Sequence, residues 1–532
     1  MIWIASVAPL GSLGLSAVVA VAPLVVLFGL LAWGRLPGWT PALVATLATF
    51  LVATAVWGIP GGRGISAGLE GVATALFPII WIVIAALWVH SLAVASGQFD
   101  VIRATLASIT ADRRLQALFI AFAFGGFLEG AAGFGTPVAI SAAMLVGLGF
   151  EARAAATLCL LANSTPVAFA AAGIPVAVAA GVSGINVLLL ARIIALEVPI
   201  VSLFVPLWLC VVLCGWKRSW EVMPALIVAG VLMSVTQFLI ATFSGPWTAG
   251  ILSGIATLAG LWLFLRVWKP RTTWDFPSRG AGAAAETSQD TPRVRIAPRA
   301  MLLAWLPYLL MSLMVLLWSM GPLVPILHHG DLAFSWPGLP GTTFSLPLLS
   351  SPGTAILLSA VLSSLFLPGL GVRKVLACLG RTIAGLRGTI LTVCLIMATA
   401  YMMNAAGMST TVGNALASTG MLFPLFSPLL GWLGVLVTGS DTSSNALFGS
   451  LQATTARRLG LNPALMVAAN GSGGVAGKMV SPQSIAVATA SAHLEGQEGI
   501  LFRSTVGHSF AMALIIGLIT MTLAYVLPGL VR

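Results

Sequence analysis

Charge is what this chain has least of. Asp, Glu, Lys and Arg make up 7% of its 532 residues, against 59% hydrophobic ones, where a soluble domain carries roughly 25% charged residues. A soluble globular fold is thereby excluded, and the mean hydropathy of +1.04 marks a polytopic membrane protein. Cysteine is sparse as well. Cys159, Cys210, Cys214, Cys378 and Cys394 all sit in apolar runs without metal-ligand spacing, so they are packing residues, and neither a metal nor a cofactor is expected. Acidic residues number 14 against 25 Lys and Arg, a formal charge of +11. That excess does not point to nucleic acid, because the basic residues are scattered through short loops between apolar runs, where a topology signal sits. The N-terminal segment also lacks the basic start of a cleaved signal peptide, so the first apolar run is expected to stay in the membrane.

What the chain does have is long apolar runs, near 14–34, 38–58, 70–96, 187–214, 222–242, 248–268, 300–320, 353–369, 386–406 and 507–530. Four further runs, 115–149, 153–180, 421–456 and 462–490, are interrupted by glycine, proline and polar residues. The one long polar stretch, about 269–299, reads as a flexible loop. If 115–149 and 421–456 each enter and leave on the same side, nineteen Lys and Arg share one face, which is then cytoplasmic. Arg35, Arg279, Arg293 and Arg295 are among them. Arg63, Arg457, Arg458 and Arg532 take the other face, and the pair Arg457-Arg458 is the one violation of the rule. Arg192 and Lys478 stay in the membrane. The order of elements over 14–214 recurs over 300–530, with 215–299 as connecting helices and loop. The second copy is inverted, an architecture that builds a substrate site at the midplane between discontinuous helices.

The polar motifs fall in the interrupted runs. Leu128-Glu129-Gly130-Ala131-Ala132-Gly133-Phe134-Gly135-Thr136-Pro137 places a carboxylate and turn-permitting glycines inside an apolar stretch, which is tolerated only where protein or a water-filled cavity satisfies the backbone. Gly133, Gly135 and Thr136 are candidate binding residues, since Thr136-Pro137 suits the start of a half-helix. In the second hairpin, Ser440, Thr442, Ser443, Ser444 and Asn445 surround Asp441. The two interrupted helices supply Asn163, Ser164 and Thr165, and Asn470, Ser472, Lys478, Ser481 and Gln483. The glycine-rich run Asn470-Gly471-Ser472-Gly473-Gly474 is read as the break in the second of these helices. Lys478 either receives a substrate carboxylate or forms a structural salt bridge with Asp441 or Glu129. Arg192 and Glu197 read as a lateral ion pair or an interfacial anchor, and His90 as a helix-packing polar residue.

These motifs, together with Ser96-Gly97-Gln98-Phe99-Asp100, Val167-Ala168-Phe169, Gly439 to Gly449 and Gly477 to Ala486, closely resemble the L-lactate permease family over nearly the whole chain. The resemblance implies proton-coupled uptake of short 2-hydroxymonocarboxylates such as lactate and glycolate across a bacterial inner membrane. It also implies a transporter fold with paired re-entrant hairpins, some members of which work as dimers by an elevator-like motion. The segments near 269–299 and 321–352 are less family-like.

The expectation is therefore an all-α carrier with about twelve transmembrane helices and two re-entrant hairpins, not an enzyme. Its partners are a small organic anion, a proton and the lipid bilayer, and the resemblance leaves room for a homodimer without fixing the oligomeric state. Half-helix N-termini and Lys478 supply positive potential for the anion, and Glu129 or Asp441 supplies a titratable acid for the proton. A sodium-coupled carrier of dicarboxylates on the same fold is the alternative. An intramembrane aspartyl protease needs two facing aspartates, whereas Asp441 is the only one in an apolar run. Single central acids likewise suit alternating access better than the charge rings of a channel.

Overall fold

The computed structural model describes residues 6–32, 37, 39–107, 109–133, 135–276, 297–318, 323–339, 342–494 and 497–531. The expectations for Arg35, Phe134, Arg279, Arg293, Arg295, Arg532 and most of the 269–299 loop lie outside these residues, as does the side chain of Thr136.

Glycine, proline and capping residues punctuate the chain into helices. Asn186 accepts from Leu188 N at 2.9 Å to start the helix Val187–Cys214, and Asn462 accepts from Ala464 N at 2.8 Å to start Pro463–Lys478. Among the described residues, ten helices are long and apolar enough to cross a membrane, or eleven if the bent pair Ala152–Ala162 and Val167–Ser183 counts as one span. The protein is a nearly all-helical multi-pass membrane protein. Among the described residues the one sheet is a small antiparallel hairpin of Leu332–Ser335 and Thr343–Leu346 outside the spans.

Three spans are longer than their apolar runs suggest. The third begins at Gly61, not near residue 70, and continues to Ala95 through a kink at Phe77, whose φ of −142° leaves the helical region. The helix expected over 386–406 covers Val372–Ala406, and the last covers Glu498–Tyr525. In each case polar helical turns extend past the apolar stretch.

Both hairpins form. The first runs from Arg113 to Ala131, turns through Gly133 and Gly135 at φ +60° and +84°, and returns as Thr136–Gly147. The second runs Phe423–Thr438, turns at Gly439 with φ +73°, and returns as Asp441–Leu459. Positive φ at these turns is the reason for glycine there. The first interrupted helix breaks at Asn163–Pro166 with a 63° bend and then carries a left-handed turn at Ala171, Ala172 and Gly173. The second does not break where expected. Pro463–Lys478 is continuous through Asn470 to Gly474, and the interruption lies at 479–481. Its glycines serve close packing instead: a methyl at Gly431, Gly473 or Gly477 would run into the backbone of Asn470, Pro428 or Trp432, binding this helix tightly to the first arm of the second hairpin.

Two packed groups result. The helices Trp39–Ala55, Gly61–Ala95, Pro298–Trp318, Pro352–Phe366 and Val372–Ala406 pack on one another, while the hairpins, the interrupted helices, Val187–Cys214, Ala249–Val267 and Glu498–Tyr525 form the other group. An aromatic seam of Phe99, Phe124, Phe127, Trp305 and Tyr308 joins them, and His90 Nδ1 lies 2.8 Å from Tyr308 Oη in this seam, a packing role as expected.

Candidate functional site

Between the two groups lies a cavity of about 570 Å³. Both hairpin tips and both interruptions reach it. The first hairpin contributes Glu129 and Gly133, and the second Thr438, Gly439, Ser440, Asp441, Thr442 and Ser443. The second interrupted helix adds Lys478 and Gln483, and Ala170, Ala171 and Pro175 come from in and around the left-handed turn of the first. The opposite wall is made by Ile79, Ile80 and Val83 next to the Phe77 kink and by Thr389, Thr392 and Val393 of the long helix Val372–Ala406. Pro37 and Trp39, at the start of the helix Trp39–Ala55, also line it.

Lys478 closes the last turn of its helix and donates to Gly439 O at 2.6 Å. Among the described residues it makes no ion pair within 4 Å with Glu129 or Asp441, although both lie within its electrostatic reach. Glu129 is 1% exposed and its Oε2 has no hydrogen-bond partner. Asn163 stands beside it, and its own side-chain amide is also without a partner. Asp441 occupies the first turn of its helix, with Oδ2 accepting from Asn445 at 3.4 Å and Oδ1 unpartnered. Space at Oδ1 is kept by Gly474, where a methyl would overlap that oxygen. Two helix N-termini reach the cavity: Ser440 caps Asp441–Leu459 by accepting from Ser443 N at 3.2 Å, and Ser481 caps Pro482–Ser491 by accepting from Ser484 N at 3.3 Å. Amides and dipoles at such starts favour an anion.

The other candidates stand behind this wall. Ser164 and Thr165 donate back to Leu161 O and Ala162 O, Ser444 donates to Gly431 O, and Ser481 donates to Lys478 O. Gly135 packs against Val487. Asn445 and Asn470 belong to a buried chain in which Ser427 Oγ donates to Gln452 Oε1 at 2.9 Å, Gln452 Nε2 to Asn470 Oδ1 at 3.2 Å, Asn470 Nδ2 to Asn445 Oδ1 at 2.8 Å, and Asn445 Nδ2 to Asp441. The sequence reading passed over Gln452, although it lies seven residues after Asn445 on the same helix face.

Ser472 donates to Glu197 Oε2 at 2.5 Å, and Thr520 donates to Glu197 Oε1 at 2.7 Å. This overturns the pairing of Arg192 with Glu197: Arg192 is exposed, five residues away on a helix, while Glu197 is fully buried on the opposite face. Thr389 and Thr392 were also missed as lining residues. Lone threonines on apolar helices normally bond their own backbone, as Thr392 Oγ1 does to Gly388 O at 2.8 Å, and carry no distinguishing signal.

A family model described as L-lactate permease matches residues 16–527. The chain is 42% identical over 555 aligned positions to the glycolate permease GlcA of Escherichia coli K12, with 99% of each chain covered. It is 42% identical over 552 positions to an L-lactate permease of Bacillus subtilis 168, with 98% of each covered. A solved structure of MtrF from Neisseria gonorrhoeae, titled as illuminating a class of antimetabolite efflux pumps, aligns with a TM-score of 0.48 at 14% identity, covering 87% of this chain and 84% of that one.

Proposed function

The chain belongs to the L-lactate permease family, and on that premise we propose that it carries short 2-hydroxymonocarboxylates, lactate and glycolate, together with a proton across the bacterial plasma membrane. The observation that carries the reading is the charge around the cavity. Glu129 and Asp441 supply two carboxylates and Lys478 one ammonium, so the site is already net negative when all three are ionised. An entering monocarboxylate doubles that charge in a cavity lined by buried groups. Two like charges about 6 Å apart repel by about 3 kcal/mol at an effective dielectric constant of about 20. A proton entering with the substrate removes the imbalance, which makes co-transport the favoured stoichiometric unit.

In this reading the carboxylate is received by Lys478 and the N-termini beginning at Asp441 and Pro482. The 2-hydroxyl is met by Ser440, Thr442, Ser443 and Gln483, and Glu129 or Asp441 holds the proton. Gly133 lets the first tip approach. Asn163, Ser164, Thr165, Ser444, Asn445, Asn470, Ser472 and Ser481 position the wall rather than touch the anion. The halves 14–214 and 300–530 act as inverted repeats. That is supported by matched lengths: each has a 35-residue span before its hairpin, Gly61–Ala95 and Val372–Ala406, and each ends on a 28-residue helix, Val187–Cys214 and Glu498–Tyr525.

The relatives' names give no support to the sodium-coupled dicarboxylate alternative. Proteoliposomes holding the purified protein should accumulate labelled L-lactate and glycolate when the outside is made acidic, with no requirement for sodium. Accumulation that follows a sodium gradient and ignores pH overturns the proposal.

A further inference from the structure

A second pocket, of about 390 Å³, is lined by Arg63, Glu70, Gly181, Tyr401 and Asn404, with Leu339 and Thr342 beside the turn of the β-hairpin. The three helices that build it are the same three that wall the main cavity. Glu70 lies about ten residues from Ile80, Gly181 about seven from Ile174 and Tyr401 about nine from Thr392, which at 1.5 Å per residue sets the two spaces about 10–15 Å apart along one interface. On each helix the displacement is toward one face, the start of Gly61–Thr74 and the ends of Ala170–Ser183 and Val372–Ala406. That face has few basic residues; the main cavity instead reaches Pro37 and Trp39, at the start of the helix Trp39–Ala55.

Arg63 is half-buried and, among the described residues, has no ion pair and no side-chain hydrogen bond, although Glu70 lines the same pocket. A guanidinium held in a concave site without a partner is a ready receptor for a carboxylate, which it binds through two parallel N–H donors. The rest of the lining suits a small hydroxy acid. Tyr401 carries a phenol whose Oη donates to Gly181 O at a long 3.4 Å, and Asn404 Oδ1 is taken by Ser409 Oγ at 2.6 Å, which leaves its amide nitrogen as a donor. The β-hairpin is fastened over this space. Ser66 Oγ donates to Pro337 O, and Trp336 Nε1 donates to Ser66 O at 3.0 Å, on the helix that carries Arg63 and Glu70. Leu339 packs onto Ala67, Ala398 and Met402 beside it.

We propose that this pocket is a second binding station for a small monocarboxylate, with Arg63 receiving the carboxylate group, at the outer end of the route that leads to Lys478. The inference rests on the carrier reading and adds a second equivalent of bound anion per chain. Glu70 keeps this station weak by opposing the anion's charge.

Equilibrium binding of labelled L-lactate to the purified full-length protein tests it. The wild type should bind two equivalents. Arg63→Gln should lose one and keep the other, and Lys478→Gln should lose the complementary one. Glu70→Gln should tighten the station about fivefold by removing a like charge near the ligand. A structural role for either residue does not produce opposite signs at Arg63 and Glu70. Binding of a single equivalent that survives Arg63→Gln and disappears in Lys478→Gln overturns the outer station while leaving the carrier reading intact. Absence of any binding by well-folded wild type removes both. If Arg63→Gln is poorly folded, Arg63→Lys and Tyr401→Phe replace it, and two undiminished equivalents in both overturn the station.

Discussion

Replacing Lys478 by Gln removes the one cation that, among the described residues, lines a cavity with two carboxylates. Lys478 lies more than 4 Å from Glu129 and Asp441 yet lines the same space; take a carboxylate bound in that space at about 5–7 Å from its ammonium. At an effective dielectric constant of about 20 that attraction is about 2–3 kcal/mol, equivalent to about a 30- to 150-fold loss of affinity. The purified Lys478→Gln protein should therefore bind L-lactate at the main site that much more weakly near neutral pH. The defect should shrink as pH falls, because protonating either carboxyl restores the charge balance. The double variant Lys478→Gln with Asp441→Asn should recover much of the loss for the same reason. Calorimetry or labelled-ligand binding reads both, alongside thermal melting to confirm folding. An unchanged affinity in folded Lys478→Gln removes the residue from the site. A loss that neither low pH nor the second substitution relieves assigns its importance to the hydrogen bond with Gly439 rather than to charge.

Glu129→Gln should abolish uphill accumulation of lactate in proteoliposomes while preserving exchange between equal concentrations; full pH-driven accumulation by this variant would refute its role in coupling. Arg114 is fully buried and holds Asp112 at 2.7 Å and Glu221 at 2.8 Å, with further donation to Arg218 O and Thr272 O. Arg114→Ala strands the buried Asp112 carboxylate, so it should cost about 3–5 kcal/mol, seen as a large fall in melting temperature, and a melt within a degree of wild type would contradict that. The Arg114 and Thr272 hydrogen bonds hold Glu221 below the usual carboxylate range. Its share of the clamp is thus full above the ordinary Glu value and lost as pH falls through the lowered one; melting curves of Glu221→Gln should show a smaller acid-side decline than wild type.

The hairpins were legible because their turns need chemistry that an apolar helix does not. Glycines at Gly133, Gly135 and Gly439 free the backbone, Pro137 suits a helix start, and acids stand at both tips. The same logic failed at Gly471, Gly473 and Gly474. Glycine marks a turn when its φ is positive and a close crossing when its missing Cβ admits another backbone, and one residue type cannot say which. Helix lengths were short by the polar turns at Gly61–Leu69 and Val372–Gly385, since a hydropathy reading ends where the hydrocarbon does and a helix need not. The far wall with Thr389, Thr392 and Ile80, and the partnership of Glu197 with Ser472 and Thr520, join positions hundreds of residues apart. No local pattern announces such contacts.

The buried chain from Ser427 through Gln452, Asn470 and Asn445 to Asp441 has a sense of direction. Every link points its donor toward the carboxylate. Backbone carbonyls pin that direction: Gln452 Nε2 also donates to Ser427 O at 3.0 Å and Asn445 Nδ2 to Pro175 O at 3.2 Å, so neither amide can flip without setting oxygen against oxygen, and aligned links reinforce one another's polarity. A serine hydroxyl four links deep thereby belongs to the same polarised row as the cavity carboxyl. The interior of this half of the protein is a fixed file of aligned dipoles whose positive end faces the substrate space, so a change made as far back as Ser427 is felt at Asp441 without touching it.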